Sequence, residues 1–402
     1  MELNLQYRLN ATKRYVSNEI TLMTEKRDDI GTVSKLGTEI NQKTDIPLFK
    51  LENNLNCVKT LGSTQVIFRS STSFTGRDSY LEVSPNLYAD VLGIKDTIRQ
   101  DIYSTKIYSN NNIVASHNIG RLILGIGATG NIDIESFKSE LASSDSMRNN
   151  IQWRRFDAKL SPSISYNIGK LAFDLSLPAS YIVINSAGYP LFEPSLSVHF
   201  KVTQNLTFKA SARKGGTFSG LYESYGGYVM TNYRNISSRG DKINRTTGAN
   251  VIFDATYANA LNAFFINGAA SYTLTHNDLT YGTIYLEDFT SVKAYDMKNE
   301  SDGLTFYLNA SKRIQNLNTT IKGGLKTSAS HYQYLIQRQM MPVTRSFFSA
   351  NLGVDTRIRQ IVLISYAGAY QQYISEFDKT FPSDLRTMNH QLTTNFLLGK
   401  HI

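Results

Sequence analysis

Histidine, cysteine and clustered tyrosine and arginine are the residue types in this chain that could bind or transform a ligand. The six histidines are His117, His199, His276, His331, His390 and His401. None of them stands at metal-ligand spacing from another histidine or from Cys57, which is the only cysteine. The Gly-Gly pairs, such as Gly215-Gly216, follow no phosphate-loop pattern. The sequence therefore predicts no catalytic residue, no cofactor and no metal site, and we expect that the protein is not an enzyme.

Aromatic and basic side chains gather in the segment from Arg213 to Arg245. The candidate ligand-binding residues in it are Tyr222, Tyr225, Tyr228, Tyr233, Arg234 and Arg239. Tyrosine offers a stacking surface and arginine offers paired donors, which suits sugars, phosphates or anionic glycans. Long loops on a rigid scaffold often carry function, so we predict a ligand-binding loop here. The alternative is a solvated loop whose cations meet the phosphates of lipopolysaccharide.

The residues before this loop show which element positions it. Leu196, Val198 and Phe200 alternate with Ser197, His199 and Lys201, and the alternation resumes after the turn Thr203-Gln204-Asn205. Side chains on a strand alternate between faces, so this stretch is a hairpin with one apolar and one polar face. If the apolar row faces lipid, the polar row lines a lumen.

The same hairpin pattern returns along the chain. Short polar turns are predicted near residues 62, 120, 169, 204, 260, 316 and 359. The chain between two such turns is long enough for two strands of about ten residues and one long loop. This arrangement predicts an antiparallel up-and-down sheet of about 16–18 strands, with short turns at one end and long loops at the other. That asymmetry is typical of an outer-membrane β-barrel, whose short turns are periplasmic.

Three segments interrupt the alternation, and the sequence predicts them as irregular. The charged stretch Lys26-Arg27-Asp28-Asp29 is predicted as a polar loop. The segment Asp78–Gln100 is predicted to be irregular, with a short helix at Ala89–Ile98. The segment Ile134–Arg148 is predicted as a loop or a short helix.

The composition limits the class of protein. The chain has 402 residues, 41% apolar, with 24 Tyr, 20 Phe and one Trp. It contains no run of about 18 apolar residues, so we expect no transmembrane helix. The net charge of +9 favours anionic partners, but the basic residues are spread along the chain, so we expect no nucleic-acid binding.

Lipid and a packed core are the two candidates for what the apolar face touches. Alternation alone also fits a β-sandwich, so it does not decide between them. Aromatic side chains near strand ends favour lipid, because rings at both ends of an apolar band form interfacial girdles. The residues predicted to form these girdles are Tyr166, Phe173, Tyr181, Phe200, Phe208, Tyr257, Phe264, Phe265, Tyr272, Phe347, Phe348, Tyr366 and Tyr373.

The stretches Glu193–Ser211, Phe253–Phe265 and Ser271–Asn277 resemble the strand–turn–strand units of TonB-dependent receptor barrels. The piece formed by Phe253–Phe265 and Ser271–Asn277 is most similar to the TonB-dependent receptor-like outer-membrane β-barrel family of Bacteroidota. The resemblance implies a barrel of about 22 strands with an amino-terminal plug domain, which imports a bulky solute with TonB-type energy. We expect this chain to depart from the family in three ways: in lacking a plug and a TonB box, in having fewer strands, and in ending at Gly399-Lys400-His401-Ile402 without a terminal aromatic residue.

We therefore expect that residues 1–402 form one outer-membrane β-barrel domain whose plug and first strands are missing. The predicted function is an integral outer-membrane receptor or transporter that binds a bulky solute through extracellular loops. The expected partners are outer-membrane lipid and lipopolysaccharide, the TonB complex through the missing plug, and a surface lipoprotein. The alternatives are a non-transporting surface or structural barrel, such as an adhesin or assembly partner, and a soluble all-β binding protein.

Overall fold

The computed structural model describes residues 1–35, 38–85, 97–141, 148–240, 242–285, 290–358, 361–377 and 381–396. Within them, 23 strands form one sheet in which all but two of the pairings are antiparallel. The only helical elements described are two 3-10 turns, Leu221–Glu223 and Gln315–Leu317. No helix among these residues is long and apolar enough to cross a membrane. The predicted all-β, antiparallel, up-and-down arrangement is confirmed.

The first half of the sheet comprises β1 (Glu2–Ala11), β2 (Arg14–Lys35), β3 (Thr38–Leu61), β4 (Thr64–Ser84), β5 (Ile98–Ile119), β6 (Leu122–Glu140), β7 (Arg148–Ile168), β8 (Leu171–Ser176), β9 (Ala179–Ile184), β10 (Ala187–Phe192), β11 (Ser195–Lys201) and β12 (Leu206–Phe218). The second half comprises β13 (Val229–Asn232), β14 (Asn235–Ser238), β15 (Arg245–Asn259), β16 (Phe264–Asn277), β17 (Thr280–Tyr285), β18 (Thr290–Tyr295), β19 (Asn299–Ile314), β20 (Thr319–Ile336), β21 (Gln339–Ile358), β22 (Val362–Phe377) and β23 (Phe381–Phe396).

Seventeen of these strands, counting broken ones once, form a continuous wall in the described residues. Strands β8 and β9 both pair with β7, and they continue each other across Pro178. Strands β10 and β11 continue each other across Pro194 in the same way. Proline has no N–H to give to a ladder, which explains both breaks. The short strands β13, β14, β17 and β18 lie in loops, so the wall agrees with the predicted 16–18 strands.

The period-2 pattern sets the two faces of the wall. Leu196 and Phe200 are 46% and 40% exposed on the outer face, as predicted. Ser197 and His199 lie on the opposite face, where they pair across the ladder with Ser211 and Lys209. The outer face is therefore an apolar surface, and the inner face is largely polar.

The predicted short turns are confirmed at every position that the structure describes. Hairpins turn at Gly62, Gly120 and Gly169 with φ of 62°, 61° and 58°. Glycine takes positive φ without a steric penalty, which is what a two-residue hairpin turn needs. Residues 359 and 360 of the last predicted turn lie outside the described residues.

All three of the segments predicted to be irregular contain strand residues. Lys26–Asp29 lies inside β2 and pairs with β3, so the prediction of a loop there was wrong. Ile134–Glu140 belongs to β6, and Asp78–Ser84 belongs to β4. In Lys26–Asp29 charged residues occupy both faces, whereas at these ends of β4 and β6 the pattern is reversed, with apolar residues inward and polar residues outward. The helix predicted at Ala89–Ile98 lies outside the described residues, apart from Thr97 and Ile98.

Three of the aromatic residues assigned to the outer girdles point inward. The strand register, followed from His199 on the inner face of β11 through each neighbouring strand to β22, places Phe265, Phe347 and Tyr373 on the inner face. The assignment to lipid was wrong for these three because each lies one residue out of phase with the apolar row. Their neighbours Phe264 and Phe348 face outward, as predicted.

The wall is taller on one side than on the other. Strands β2 to β7 have 19 to 24 residues, whereas β12, β15 and β16 have 13 to 15. The extra length lies at the long-loop end, and its inner face is apolar. Ile40, Leu81, Val83 and Ile98 are almost fully buried there. The inner face of this upper wall is therefore a hydrophobic surface against which a segment inside the sheet can pack.

In the described residues, β1 and β23 form the two edges of the wall. The pairing found for β1 is with β2, and the pairing found for β23 is with β22. Both edge strands run from the long-loop end to the short-turn end. Each edge displays exposed apolar side chains, including Leu5 at 60% and Leu392 at 70%.

Candidate functional site

Two long loops fold into the interior of the curved sheet and together form a cap. The first cap loop is residues 219–240 and 242–244, between β12 and β15; the second is residues 278–285 and 290–298, between β16 and β19. Strand β14 of the first pairs in parallel with β18 of the second, and β17 pairs in parallel with β20 of the wall. The cap therefore crosses the interior space, here called the lumen.

The side-chain amides of three residues on the inner face of the wall bind the backbone of the first cap loop. Asn149 on β7 accepts the N–H of Gly227 at 2.8 Å, and Gln100 on β5 accepts the N–H of Met230 at 2.9 Å. The N–H of Tyr233 donates to Gln42 on β3, also at 2.9 Å. The loop residues are three apart, and the wall strands are two apart. Three extended residues span about 10 Å, which matches two inter-strand spacings of about 4.8 Å. We call Gln42, Gln100 and Asn149 the amide clamp.

Gly227 lies close against the wall. A Cβ there would lie 2.5 Å from the carbonyl oxygen of Arg148 and 2.8 Å from Oδ1 of Asn149. Any larger residue would therefore push the loop off β7 and lengthen the first hydrogen bond of the amide clamp. A Cβ at Gly226 would have no neighbour within 4 Å, so the constraint is specific to Gly227.

Apolar side chains seal the cap against the wall in two clusters. Met230 and Ile236 join Ile40, Leu81, Val83, Ile98 and Leu141 in the first cluster. Leu221, Tyr225 and Val229 join Phe137, Trp153, Ile182, Ile184, Leu191 and Phe218 in the second cluster. Burying one such side chain is worth about 1.5–3 kcal/mol. The cap is therefore a packed element with a hydrophobic core.

The structure divides the six predicted ligand-binding residues into two groups. Tyr225 is 4% exposed and bonds through its hydroxyl to Ser237. Tyr228 and Tyr233 pack against the first apolar cluster. All three rings therefore support the cap, with Tyr225 buried in its core and Tyr228 and Tyr233 partly buried against it.

Tyr222 and Arg234 keep their side chains accessible. Tyr222 is 49% exposed; its hydroxyl donates to Oγ of Ser104 at 3.3 Å, and its ring meets Phe137 edge-on. The pKa of Tyr222 is raised, mainly because burial disfavours the phenolate and also because Glu135 lies nearby. Arg234 lies at the β13–β14 turn, where its carbonyl accepts the N–H of Thr290 at 2.9 Å.

Arg239 belongs to the contact between the two cap loops. Its guanidinium carbon lies 5.1 Å from the ring centre of Tyr281 in the second loop. Burial raises the pKa of the Tyr281 phenol, Glu223 raises it further, and Arg239 opposes both effects. An ion pair between Lys242 and Asp296 joins the same two loops. The loops are thus linked through side chains as well as through strand pairing.

The lumen wall beside the cap carries charged residues in pairs. Lys106 on β5 lies 3.1 Å from Asp133 and 3.3 Å from Glu135 on β6. Arg155 pairs with Asp157 at 2.9 Å on β7. Lys159 pairs with Glu193 across the next strands. A polar solute in this part of the lumen would therefore meet cations that are already neutralised.

Sequence reasoning missed the amide clamp and the second cap loop. Gln42, Gln100 and Asn149 are far apart in the chain and follow no motif; the only local hint is the Gly-Gly pair at Gly226-Gly227. Among the described residues, no three His, Cys, Asp or Glu side chains come together to hold a metal ion.

Comparisons with known proteins give likeness in shape only. No family model matches the chain, and no curated protein matches it. Among solved structures, the copper transporter OprC is 8% identical, with 98% of this chain and 78% of that chain covered and a TM-score of 0.46. The FrpB iron transporter of Neisseria meningitidis is 10% identical over 98% and 73% of the two chains, with a TM-score of 0.47. The siderophore receptor PirA of Pseudomonas aeruginosa is 9% identical over 93% and 79%, with a TM-score of 0.42. With every TM-score below 0.5, these likenesses carry no argument about function.

Proposed function

We propose that this chain is the barrel of an outer-membrane receptor or transporter, with the cap as the gate of its lumen. The single observation that supports this proposal most is the cap itself. Two loops cross the interior of a sheet whose outer face is apolar and whose inner face is polar. Backbone groups inside a bilayer must be satisfied within the protein, and an antiparallel sheet meets that need everywhere except at its two edges, here β1 and β23. A bulky solute would bind at the outer side of the cap and pass once the cap leaves the amide clamp.

The extracellular surface of the cap is the proposed ligand-binding surface, with Tyr222 and Arg234 as its accessible members. Both can be replaced by Ala, and binding to an array of neutral and anionic glycans can then be measured. We expect the variants to bind more weakly than the unmodified protein to those glycans of the array that the unmodified protein binds. Unchanged binding would leave the loop with only its structural role, its cations meeting lipopolysaccharide phosphates.

The membrane location has its own test. Cell fractions would be extracted with detergent, and gel migration would be compared with and without boiling. We expect the protein in the outer-membrane fraction, with migration that changes on boiling. A protein that stays soluble without detergent and migrates identically in both lanes would be a soluble all-β protein.

A non-transporting surface barrel is the second candidate, and the two buried apolar clusters under the cap favour it. A cap held by so many apolar side chains suits a permanently closed barrel that acts as an adhesin or assembly partner. Conductance across a planar bilayer separates the two candidates. The transporter should show rare openings, whereas the closed barrel should show none, even after the amide clamp is removed.

We also propose that further strands complete the barrel between β1 and β23. Both edges display exposed apolar rows, and both strands run in the same direction. Antiparallel closure between two such edges requires an odd number of additional strands. A plug, coupling to TonB, a surface lipoprotein partner and an origin in Bacteroidota belong to the same proposal.

A further inference from the structure

Aromatic side chains on the inner face of β20 to β22 form a second feature of the lumen. The rings of Phe347 and Tyr373 lie opposite each other on β21 and β22, with their centres 4.6 Å apart and an angle of 41° between them. Tyr373 remains 47% exposed. Ring surface facing a polar lumen is costly to leave uncovered, because apolar surface in water is unfavourable. We call Phe347 and Tyr373 the aromatic pair.

Two cations flank the aromatic pair along the strands. Nζ of Lys326 lies 5.8 Å from the ring centre of Phe347. The guanidinium carbon of Arg345 lies 5.3 Å from the ring centre of Tyr332. Arg345 is one inner-face position above Phe347, and Lys326 pairs with Ser349, one position below. Successive inner-face positions on a strand are about 7 Å apart. An aromatic ligand stacked on the aromatic pair would therefore have Arg345 within reach on one side and Lys326 within reach on the other.

These cations differ from those on the opposite wall. Lys106, Arg155 and Lys159 each have a carboxylate partner. Within the described residues, neither Lys326 nor Arg345 forms an ion pair. Lys322, lower on β20, pairs with Asp355 at 2.9 Å, so acidic residues on this wall lie away from the aromatic pair.

From this juxtaposition we propose that Phe347, Tyr373, Lys326 and Arg345 form a lumen site for a planar aromatic anion. The ring stacks on the aromatic pair, and a carboxylate or equivalent group meets Lys326 or Arg345. Stacked rings prefer offset or tilted arrangements at such distances, and cations that are not already paired with a carboxylate can attract an anion without first breaking an ion pair. The inference rests on the proposed function, since it assumes that solute enters the lumen.

The test uses the full chain in detergent and 2-naphthoate as the probe, with binding measured by titration calorimetry. We expect saturable binding, and we expect that Phe347→Leu and Tyr373→Leu each raise the Kd about three- to tenfold. Lys326→Gln and Arg345→Gln should each raise it about two- to fivefold. Two neutral or non-aromatic probes, 2-naphthalenemethanol and glucuronate, should bind more weakly than 2-naphthoate.

Matched controls lie on the same strands. Phe348 faces outward next to Phe347, so Phe348→Leu should leave the Kd unchanged. Lys322 is already paired with Asp355, so Lys322→Gln should also leave it unchanged. Each variant must keep its heat-modifiable gel migration, which reports folding without any ligand.

Three outcomes would overturn the proposal. The first is no saturable binding of 2-naphthoate by a protein that migrates as a folded barrel, and that result would leave the membrane proposal intact. The second is an equal effect of Phe347→Leu and Phe348→Leu. The third is glucuronate binding as tight as 2-naphthoate, because a site for any acid would need no aromatic pair.

Discussion

At the scale of single residues, Gly227 is the position where the cap tolerates least change. Gly227→Ala places a methyl group 2.5 Å from a backbone carbonyl of β7, so the loop must move and the bond to Asn149 is lost. We expect a loss of about 1–3 kcal/mol in cap docking. Limited proteolysis of the folded protein would measure it as faster cleavage within the first cap loop. Gly226→Ala is the control and should be cleaved like the unmodified protein.

Tyr281 makes the docking of the cap sensitive to alkaline pH. Burial and Glu223 raise the pKa of its phenol above the ordinary 10.0. The docked state therefore keeps a proton that the undocked state has already lost. Docking is at full strength below about pH 10 and weakens as the pH rises through the raised pKa.

The measurement for this prediction is protease accessibility of the cap followed from pH 8 to pH 12, beside tyrosinate absorbance. Tyr281→Phe cannot ionise, so we expect its cap to stay docked to higher pH. Tyr285→Phe is the control, since Tyr285 is 55% exposed. If Tyr281→Phe and the unmodified protein release the cap at the same pH, another group controls the alkaline release.

At the scale of elements, the amide clamp sets how readily the cap leaves its seat. Gln100→Leu leaves the N–H of Met230 without its acceptor in a site where Gln100 is fully buried. An unsatisfied buried donor costs about 1–3 kcal/mol, so the undocked population should rise about 5-fold to 150-fold. Single-channel recording in planar bilayers would show this rise as more frequent openings. Gln371→Leu, an inner-face amide on β22 across the lumen from the amide clamp, should not change the opening frequency.

The wall could be predicted from the sequence because its signals are local. The residues that determine each hairpin are neighbours in the sequence, and glycines such as Gly62 and Gly120 lie at the turns. The cap could not be predicted, because the hydrogen bonds that hold it join residues 78, 130 and 191 positions apart. The loop prediction for Lys26–Asp29 was wrong for another reason. This part of β2 has charged side chains on both faces, so its sequence shows no alternation of polar and apolar residues.

The ligand-binding loop shows the same limit. The sequence identified Tyr222, Tyr225 and Arg234 as equals, since residue type and position in a loop were the only information. Burial in the folded chain separates them, with Tyr225 in a core and Tyr222 half exposed. Whether the exposed residues bind a ligand remains the prediction that the glycan experiment tests.

At the scale of the whole molecule, the two faces of the wall should respond oppositely to charge. Phe306 faces outward on β19 and is 43% exposed, whereas its neighbour Thr305 faces the lumen. Phe306→Arg should cost up to about 2–4 kcal/mol in the free energy of unfolding from lipid vesicles, because lipid cannot solvate the charge. Thr305→Arg should cost much less. Equal costs, measured by urea titration in vesicles, would contradict the assignment of the outer face to lipid.

Because the wall has unequal height, the first cap loop is attached to the sheet at one end and extends across the lumen to the taller strands. The loop is covalently anchored at the low side, at the ends of β12 and β15, and its far end, the tip at the β13–β14 turn, is bound to the tall side through the hydrogen bond from Tyr233 to Gln42. Thermal lifting moves the tip further than the root, so the contacts should release in sequence, beginning with Tyr233 and Gln42. Native-state hydrogen exchange would then be fastest for the amide of Tyr233, slower for Met230 and slowest for Gly227. Equal exchange rates at the three amides would mean that the cap releases all three contacts together, as a rigid body.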